Sequence, residues 1–346
     1  MDNLDRELER AAGTGVPPTV ENVRRSCDEA AALPDSPVRI DEQRLRAFTR
    51  SLDIRAVKRS SHLMAVPIAF GSVRAATNFH LNLHLFNFGH GYRHPLHSLC
   101  GQGAWRTMKR GIEALHASCG ERGIDAATLA ALTPSAVDAL FGFPSGGAAG
   151  ELDPLRDMIL RVAHATGNRL IELGFPSFAD MIADRAARGR LSAAGLVELL
   201  AGQFPAFDDR RSLGSGREVL FLKKAQIAVA ELYQKLGGEL ADHVDFSDVT
   251  TFTVACDNVL PCVLKTLGIL RLDPGLERDI AEGRPLPAGR EEALLRAAAL
   301  SAAEAVVRLS TGAFWAKELG DYLWTMGKDS GFRQAERHAA RDTCFY

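Results

Sequence analysis

Along most of the chain the apolar residues recur three and four positions apart, the spacing of one buried helix face, and period-two alternation is confined to a single short stretch. The pattern predicts helices over Leu4–Ala12 and Val20–Leu33, separated by GTGVPP, so residues 1–40 read as an N-terminal helical appendage. Over Asp41–Leu52, the residues Leu45, Phe48 and Leu52 share one face and charged residues occupy the other. Helices follow over Val73–Phe86, ending at Gly89 and Gly91, and over Ala104–Cys119 and Pro134–Phe141. The run PSGGAAGELDP is the most linker-like in the chain and reads as a surface loop joining two lobes near 143–153. Beyond it, Pro154–Leu173 carries Leu155, Met158, Ile159, Val162, Ala163 and Leu170 on one stripe, and FADMIADRAARG and LSAAGLVELLAGQF complete an antiparallel helical set.

The alternating stretch is Ser212–Leu222, where a Gly-Ser-Gly turn precedes Val219 and Phe221; it predicts a β-hairpin feeding directly into the helix KKAQIAVAELYQKL. Next come a helix with Leu260, Val263, Leu264 and Leu267 on its buried face, stopped by Gly268, and an Asp/Gly/Pro-rich excursion over Asp273–Arg290. A long Ala/Leu helix over Glu291–Ser310 and a final helix containing Phe314, Trp315, Tyr322, Leu323 and Trp324 close the pattern. Disordered ends are rarely apolar, so Phe345 and Tyr346 are expected to dock on the core. The fold class is therefore all-α, mostly helical with one short hairpin, and 1–346 reads as a single domain.

Composition narrows the function. With 46% hydrophobic residues in 346, the chain has ample material for a core. A net charge of −2 lacks the basic surface of a general nucleic-acid binder, so a small ligand is expected, with no direct nucleic-acid contact. Cys27, Cys100, Cys119, Cys256, Cys262 and Cys344 are scattered without a CxxC pair and read as free thiols in a reducing compartment. The start, MDNLDRELERAAG, resembles neither a signal peptide nor a mitochondrial presequence, and no segment has the length and apolarity of a membrane span. A cytoplasmic monomer is the expectation.

Three features carry chemistry. His80, His84, His90, His94 and His97 are half of the ten histidines, and H-x3-H spacing places two imidazoles one turn apart. However, there is no HExxH or adjacent carboxylate, and the second pair falls in a Gly/Pro loop, so the histidines read as structural or ligand-lining; neither metal nor cofactor is expected. Second, Lys223 and Lys224 open a helix, where cations oppose the dipole; they are either solvated or placed to meet an anion, a phosphate foremost. Third, Asp257 stands at the entrance to an apolar helix, where spacing alone makes it a cap.

Several blocks together resemble one family, the queuosine salvage proteins: LNLHLFNFGHGYRHPLH (81–97), FLKKAQIAV (221–229), DNVLPCVLKTLGIL (257–270), GDYLWTMGKD (320–329) and TCFY (343–346), in that order. The NFG-x-GY form resembles the fungal-type branch. The resemblance implies a helical fold similar to helix-hairpin-helix DNA glycosylases and hydrolysis of the N-glycosidic bond of queuosine 5′-phosphate, releasing queuine for salvage into tRNA. The catalytic aspartate of the family's D-x-x-L-P motif falls on Asp257. The lysine of its K-[KR]-A helix falls on Lys223, implying phosphate or sugar contact, and the asparagine of its NF motif falls on Asn87. Tyr322 and Trp324 match a DY-x-LW-like segment that is one residue shorter here than in some members. Phe88, His84 and Tyr346 complete the expected substrate-binding set, although His80, His84 and His90 match no position that the family requires. Asp257 would stabilise an oxocarbenium-like transition state, align water or attack the sugar. Two other readings stand beside this one: a helical nucleic-acid glycosylase or binder, and a non-catalytic nucleotide-binding protein in which Asp257 only caps.

Overall fold

The sequence REEALLRAAALSAAEAVVRL is apolar on nearly every face, and a helix of that kind is stable only when surrounded. In the computed structural model, which describes residues 3–9, 15–60, 68–144 and 147–346, it forms the Arg290–Leu309 helix, buried almost without interruption from Glu292 to Val306. Alanines on its faces allow the Val20–Ala31 helix, the Val259–Thr266 helix and the Ala316–Met326 helix to pack closely around it. A second buried pair, Val73–Leu85 against Lys223–Leu236, lies beside this group. The buried apolar residues form one contiguous cluster that runs from Leu4 to Tyr346.

The molecule is mostly helical, and the long periodic segments form where the pattern predicts them, including Ala104–Cys119, Pro134–Phe141 and Val73–Leu85. Their ends follow local chemistry. The Ser72 hydroxyl accepts the Ala75 N–H at 3.1 Å, Asp41 caps Glu42–Ser51, and Gly268 (φ +72°) follows the Val259–Thr266 helix. The predicted hairpin is present as Arg210–Gly214 paired antiparallel with Arg217–Leu220, turning at Ser215 and Gly216, both at positive φ, and it leads into the Lys223–Leu236 helix.

Other elements depart from the pattern. The segment read as a Gly/Pro loop contains the Arg93–Cys100 helix, because Pro95 sits in its first turn, where no N–H is required. The Asp/Gly/Pro-rich excursion contains the Pro274–Ala281 helix, opened by Asp273, whose Oδ1 accepts the Gly275 N–H at 2.9 Å. Two further strand pairs, Val38–Ile40 with Leu270–Leu272 and Leu191–Ser192 with Val244–Asp245, are too short to show alternation. The last long helix begins at Ala316, leaving Phe314 before it and Trp315 at its cap. The first helix spans Asn3–Leu8 and stops before Glu9; residues 10–12 of the predicted helix, together with 64–67 and with 145–146 of the linker, lie outside the described residues.

Both chain ends are tied into the core. In the stretch read as an appendage, Val23 and Cys27 are fully buried and the Cys27 thiol donates to the Leu220 carbonyl. Glu7 is buried in an ion pair with Arg211 at 2.6 Å. At the other end the aromatic tail docks as its composition predicts. The Gly89 N–H donates to the Tyr346 carbonyl at 3.1 Å, and a Cβ on Gly91 would lie 2.1 Å from the Ala340 carbonyl oxygen, so the tail approaches only a glycine there. The six cysteines are free, and among the described residues no helix is long and apolar enough to cross a membrane.

Candidate active site

The segment before Asp257 is buried yet belongs to no strand, so side chains must satisfy its backbone. Gln226 Oε1 accepts the Thr253 N–H at 2.8 Å and Glu304 Oε1 accepts the Val254 N–H at 3.0 Å. Arg296 donates to the Cys256 carbonyl through Nε at 3.2 Å and Nη2 at 2.9 Å. Arg296 is itself fully buried between the rings of Phe221 and Tyr346 and pairs with Asp209 at 2.5 Å and Glu292 at 3.4 Å. The backbone leading into Asp257 is therefore held by a buried ionic core.

Asp257 uses its two oxygens differently. Oδ1 accepts the Val259 N–H at 2.7 Å, while the formal cap, Asn258, makes no side-chain capping bond. The cap expected from spacing is thus real for one oxygen. The other, Oδ2, lies 3.3 Å from His90 Nδ1, a close approach without hydrogen-bond geometry. Burial alone would push this carboxyl up; His90, Lys223, the Val259 N–H and Arg337 outweigh it and hold the group below the usual carboxylate range. Burial, with Lys223 and Arg337, drives His90 down to about 3, against the opposing pull of Asp257, so its imidazole is neutral at neutral pH.

Lys223 and Lys224 are both buried, which corrects the reading of them as solvated. Protein oxygens replace water for each. Lys223 Nζ donates to the Asn87 carbonyl at 3.2 Å, and burial lowers its pKa to about 8, with Asp257 pulling the other way. Leu222, left-handed at φ +49°, precedes Lys223, a conformation costing about 1–3 kcal/mol of the kind found at functional sites. Lys224 has a different job: Nζ donates to the Leu85 and Cys344 carbonyls, each at 2.8 Å, binding the C-terminal tail to the core.

One cavity brings together Asp257, Lys223, Asn87, His84 and Trp324. Phe88, Tyr322 and Tyr346 do not line it. Phe88 is core, 5.2 Å beneath the Lys224 ammonium; Tyr322 is half-buried on the Ala316–Met326 helix; Tyr346 is fully buried, its hydroxyl donating to Glu292 Oε1 at 2.8 Å and lying 3.2 Å from His338 Nε2. The cavity wall also contains residues that sequence reasoning passed over as site residues: His90, Trp105, Gln226, Glu231 and Asp321. The His80/His84 pair, one turn apart, closes on Glu231, with His80 Nδ1 3.1 Å from Oε1 and His84 Nε2 on Oε2. Burial raises the Glu231 pKa, but the two histidines more than reverse this and hold it ionised. Histidines one turn apart opposite a buried carboxylate on the lysine helix were the available signal. Among the described residues no group of His, Cys, Asp and Glu is arranged to hold a metal ion. Trp105 stacks on His84 at 6.1 Å, so the wall offers flat apolar faces beside an ionised carboxylate, an arrangement suited to a nucleoside.

Residues 105–346 match the family model described as queuosine salvage protein. A protein of Sphaerobacter thermophilus is 36% identical over 226 residues, covering 64% of this chain and 66% of that one. A Schizosaccharomyces pombe protein is 31% identical over 133 residues (38% and 36%), and a mouse protein 30% over 139 (40% and 39%). All three are named queuosine 5′-phosphate N-glycosylase/hydrolase. The matched region spans just under two thirds of the bacterial relative and less than half of the other two. With its family match covering most of its length, the chain belongs to the queuosine salvage protein family.

Proposed function

We propose that this protein hydrolyses the N-glycosidic bond of queuosine 5′-phosphate and releases the base queuine for salvage into tRNA. The observation that carries the reading is an ionised Asp257, enclosed in one cavity with Lys223 and Asn87 and flanked by a neutral His90. Breaking the bond from the anomeric carbon to the base leaves positive charge on the ribose, and a buried carboxylate stabilises that charge far better than water does. Oδ1 is committed to the Val259 N–H, so Oδ2 is the oxygen that meets the sugar, either as a fixed negative charge or in aligning or replacing the attacking water.

The base of this substrate is a 7-deazapurine and lacks the N7 that an acid protonates in ordinary purines. Stabilisation at the sugar and hydrogen bonding to the base must then carry more of the barrier. Asn87 is assigned to the base edge, Trp105 and Trp324 to its faces, and Lys223 to the ribose oxygens beside Asp257. The enzyme works on the free nucleotide, a view supported by a net charge of −2 that gives no general attraction to nucleic acid. The test is mass-spectrometric detection of free queuine after incubation with queuosine 5′-phosphate, beside the unphosphorylated nucleoside and ordinary purine nucleotides. Release from the queuosine compounds alone is expected; no release, or equal release from purine nucleotides, rejects the assignment.

A further inference from the structure

Among the described residues three that are not glycine hold a positive φ, and two of them, Ser215 and Thr311, sit in exposed turns. The third, Leu222, is fully buried and stands directly before Lys223. A bulky side chain stays in the left-handed region only where its surroundings over-determine it, and here they do. The Phe221 and Leu222 N–H groups both donate to the Asp209 carbonyl, at 2.8 and 3.4 Å. Gln226 takes up the two carbonyls of the same turn: its backbone N–H donates to the Leu222 oxygen at 3.0 Å and its Nε2 to the Phe221 oxygen at 3.0 Å.

The same side chain reaches across to the run that carries Asp257. Gln226 Oε1 accepts the Thr253 N–H at 2.8 Å and the Thr253 O–H at 3.2 Å, and Nε2 donates to the Thr253 hydroxyl oxygen at 2.9 Å. Both amide hydrogens and both lone pairs of the oxygen are thereby taken up within the protein. Although Gln226 lines the Asp257 cavity, it keeps no polar group for a ligand, so its part in the site is to hold its neighbours. It stands one turn after Lys223 on the same helix face, and Thr253 precedes Asp257 by about one turn's worth of chain. We infer that Gln226 is a positioning residue: it ties the strained Leu222 turn, which places Lys223, to the buried run that presents Asp257, and so sets the spacing of the two groups across the cavity. The inference rests on the reading that Asp257 acts on the sugar with Lys223 beside it.

The test uses the full chain with queuosine 5′-phosphate. Gln226→Met keeps the length of the side chain and removes its hydrogen bonds; Thr253→Val and Thr253→Ser are the milder changes, and melting temperatures check that each variant folds. Gln226→Met should lower kcat by about 10²-fold with KM within about threefold of the parent, the cost of a displacement of about 1 Å. Introduced into Lys223→Met, the same substitution should cost no more than about threefold, because the spacing it sets has lost one partner. Thr253→Val should lower kcat by about tenfold, and Thr253→Ser should stay within about twofold of the parent. Lysine side-chain NMR reads the same coupling without turnover. The Lys223 titration, at about 8 in the parent, should rise by about one unit or more in Gln226→Met, since burial is the main cause of its depression and the released ammonium gains solvent. A kcat within about threefold of the parent in a folded Gln226→Met, equal losses in the two backgrounds, or a Lys223 titration that does not move would overturn the positioning role. If Gln226→Met does not fold, an unchanged kcat and Lys223 titration in Thr253→Val overturns it. A parent protein that releases no queuine, while its Lys223 titration responds to Gln226→Met, would sink the proposed reaction and leave the Gln226 clamp standing.

Discussion

His90 Nδ1 lies 3.3 Å from Asp257 Oδ2, joining the loop after the Val73–Leu85 helix to the entrance of the Val259–Thr266 helix. Because burial, Lys223 and Arg337 hold the imidazole down to about 3, the carboxylate faces a neutral ring and remains charged toward the cavity.

The pH dependence of kcat follows from these groups. Asp257 is lowered, so its acid limb falls below the ordinary carboxylate range, and His90 contributes no limb near 6.5. Lys223, lowered to about 8, loses its charge as pH rises, so activity should decline above about pH 8 and lose this limb in Lys223→Met. A kcat profile with a limb near 6.5 that disappears in His90→Gln would contradict the neutral imidazole.

Stability should fall on acidification. His90 and His338 are both held down to about 3 by burial, so the unfolded chain takes up their protons first as pH falls below about 6.5. Their stabilisation is complete above that value and is lost progressively toward about pH 3. Urea titrations at pH 7 and pH 5 should show a loss of about 1–3 kcal/mol per pH unit between them. Equal or greater stability at pH 5 would contradict the burial of two neutral histidines.

Arg296 is the test of the buried ionic core. Arg296→Met leaves Asp209 without its ion-pair partner and Glu292 with only Arg211 at 3.9 Å, and removes both donors to the Cys256 carbonyl, so unfolding stability should drop by about 3–5 kcal/mol. A loss under about 1 kcal/mol in denaturant melts would show that the network does not hold the Asp257 backbone.

Tyr346 is expected to act through the core. Tyr346→Phe removes the hydroxyl that donates to Glu292 and should cost about 1–3 kcal/mol by the same melts. No change would mean that the tail's hydrogen bond is unimportant to the fold.

Long helices such as Ala104–Cys119 were legible because a single helix carries its own apolar stripe. The pair Val38–Ile40 and Leu270–Leu272 was not, since its partners lie far apart in sequence and three residues show no alternation. At the site, Asp257, Lys223 and Asn87 could be picked from motif blocks, and they do share a cavity. Phe88 could not be separated from Asn87 in this way: neighbouring residues of one loop face opposite sides, and only the packed tail shows which side is core. His90 and Glu231 were passed over because their meaning lies in what faces them, a carboxylate and two imidazoles supplied by other segments. The burial of the lysines was not legible because a cation is usually solvated; carbonyls from the 85–87 loop and the C-terminal tail are what allow it.

The central claim is that the Asp257 carboxylate carries the chemistry. Single-turnover release of queuine from queuosine 5′-phosphate by Asp257→Asn, which keeps an oxygen for the Val259 N–H but removes the charge, tests it most directly. The account predicts a fall in rate of about 10³-fold or more with nucleotide binding retained; a rate within about tenfold of the parent enzyme, in a variant that melts at the same temperature, would contradict it.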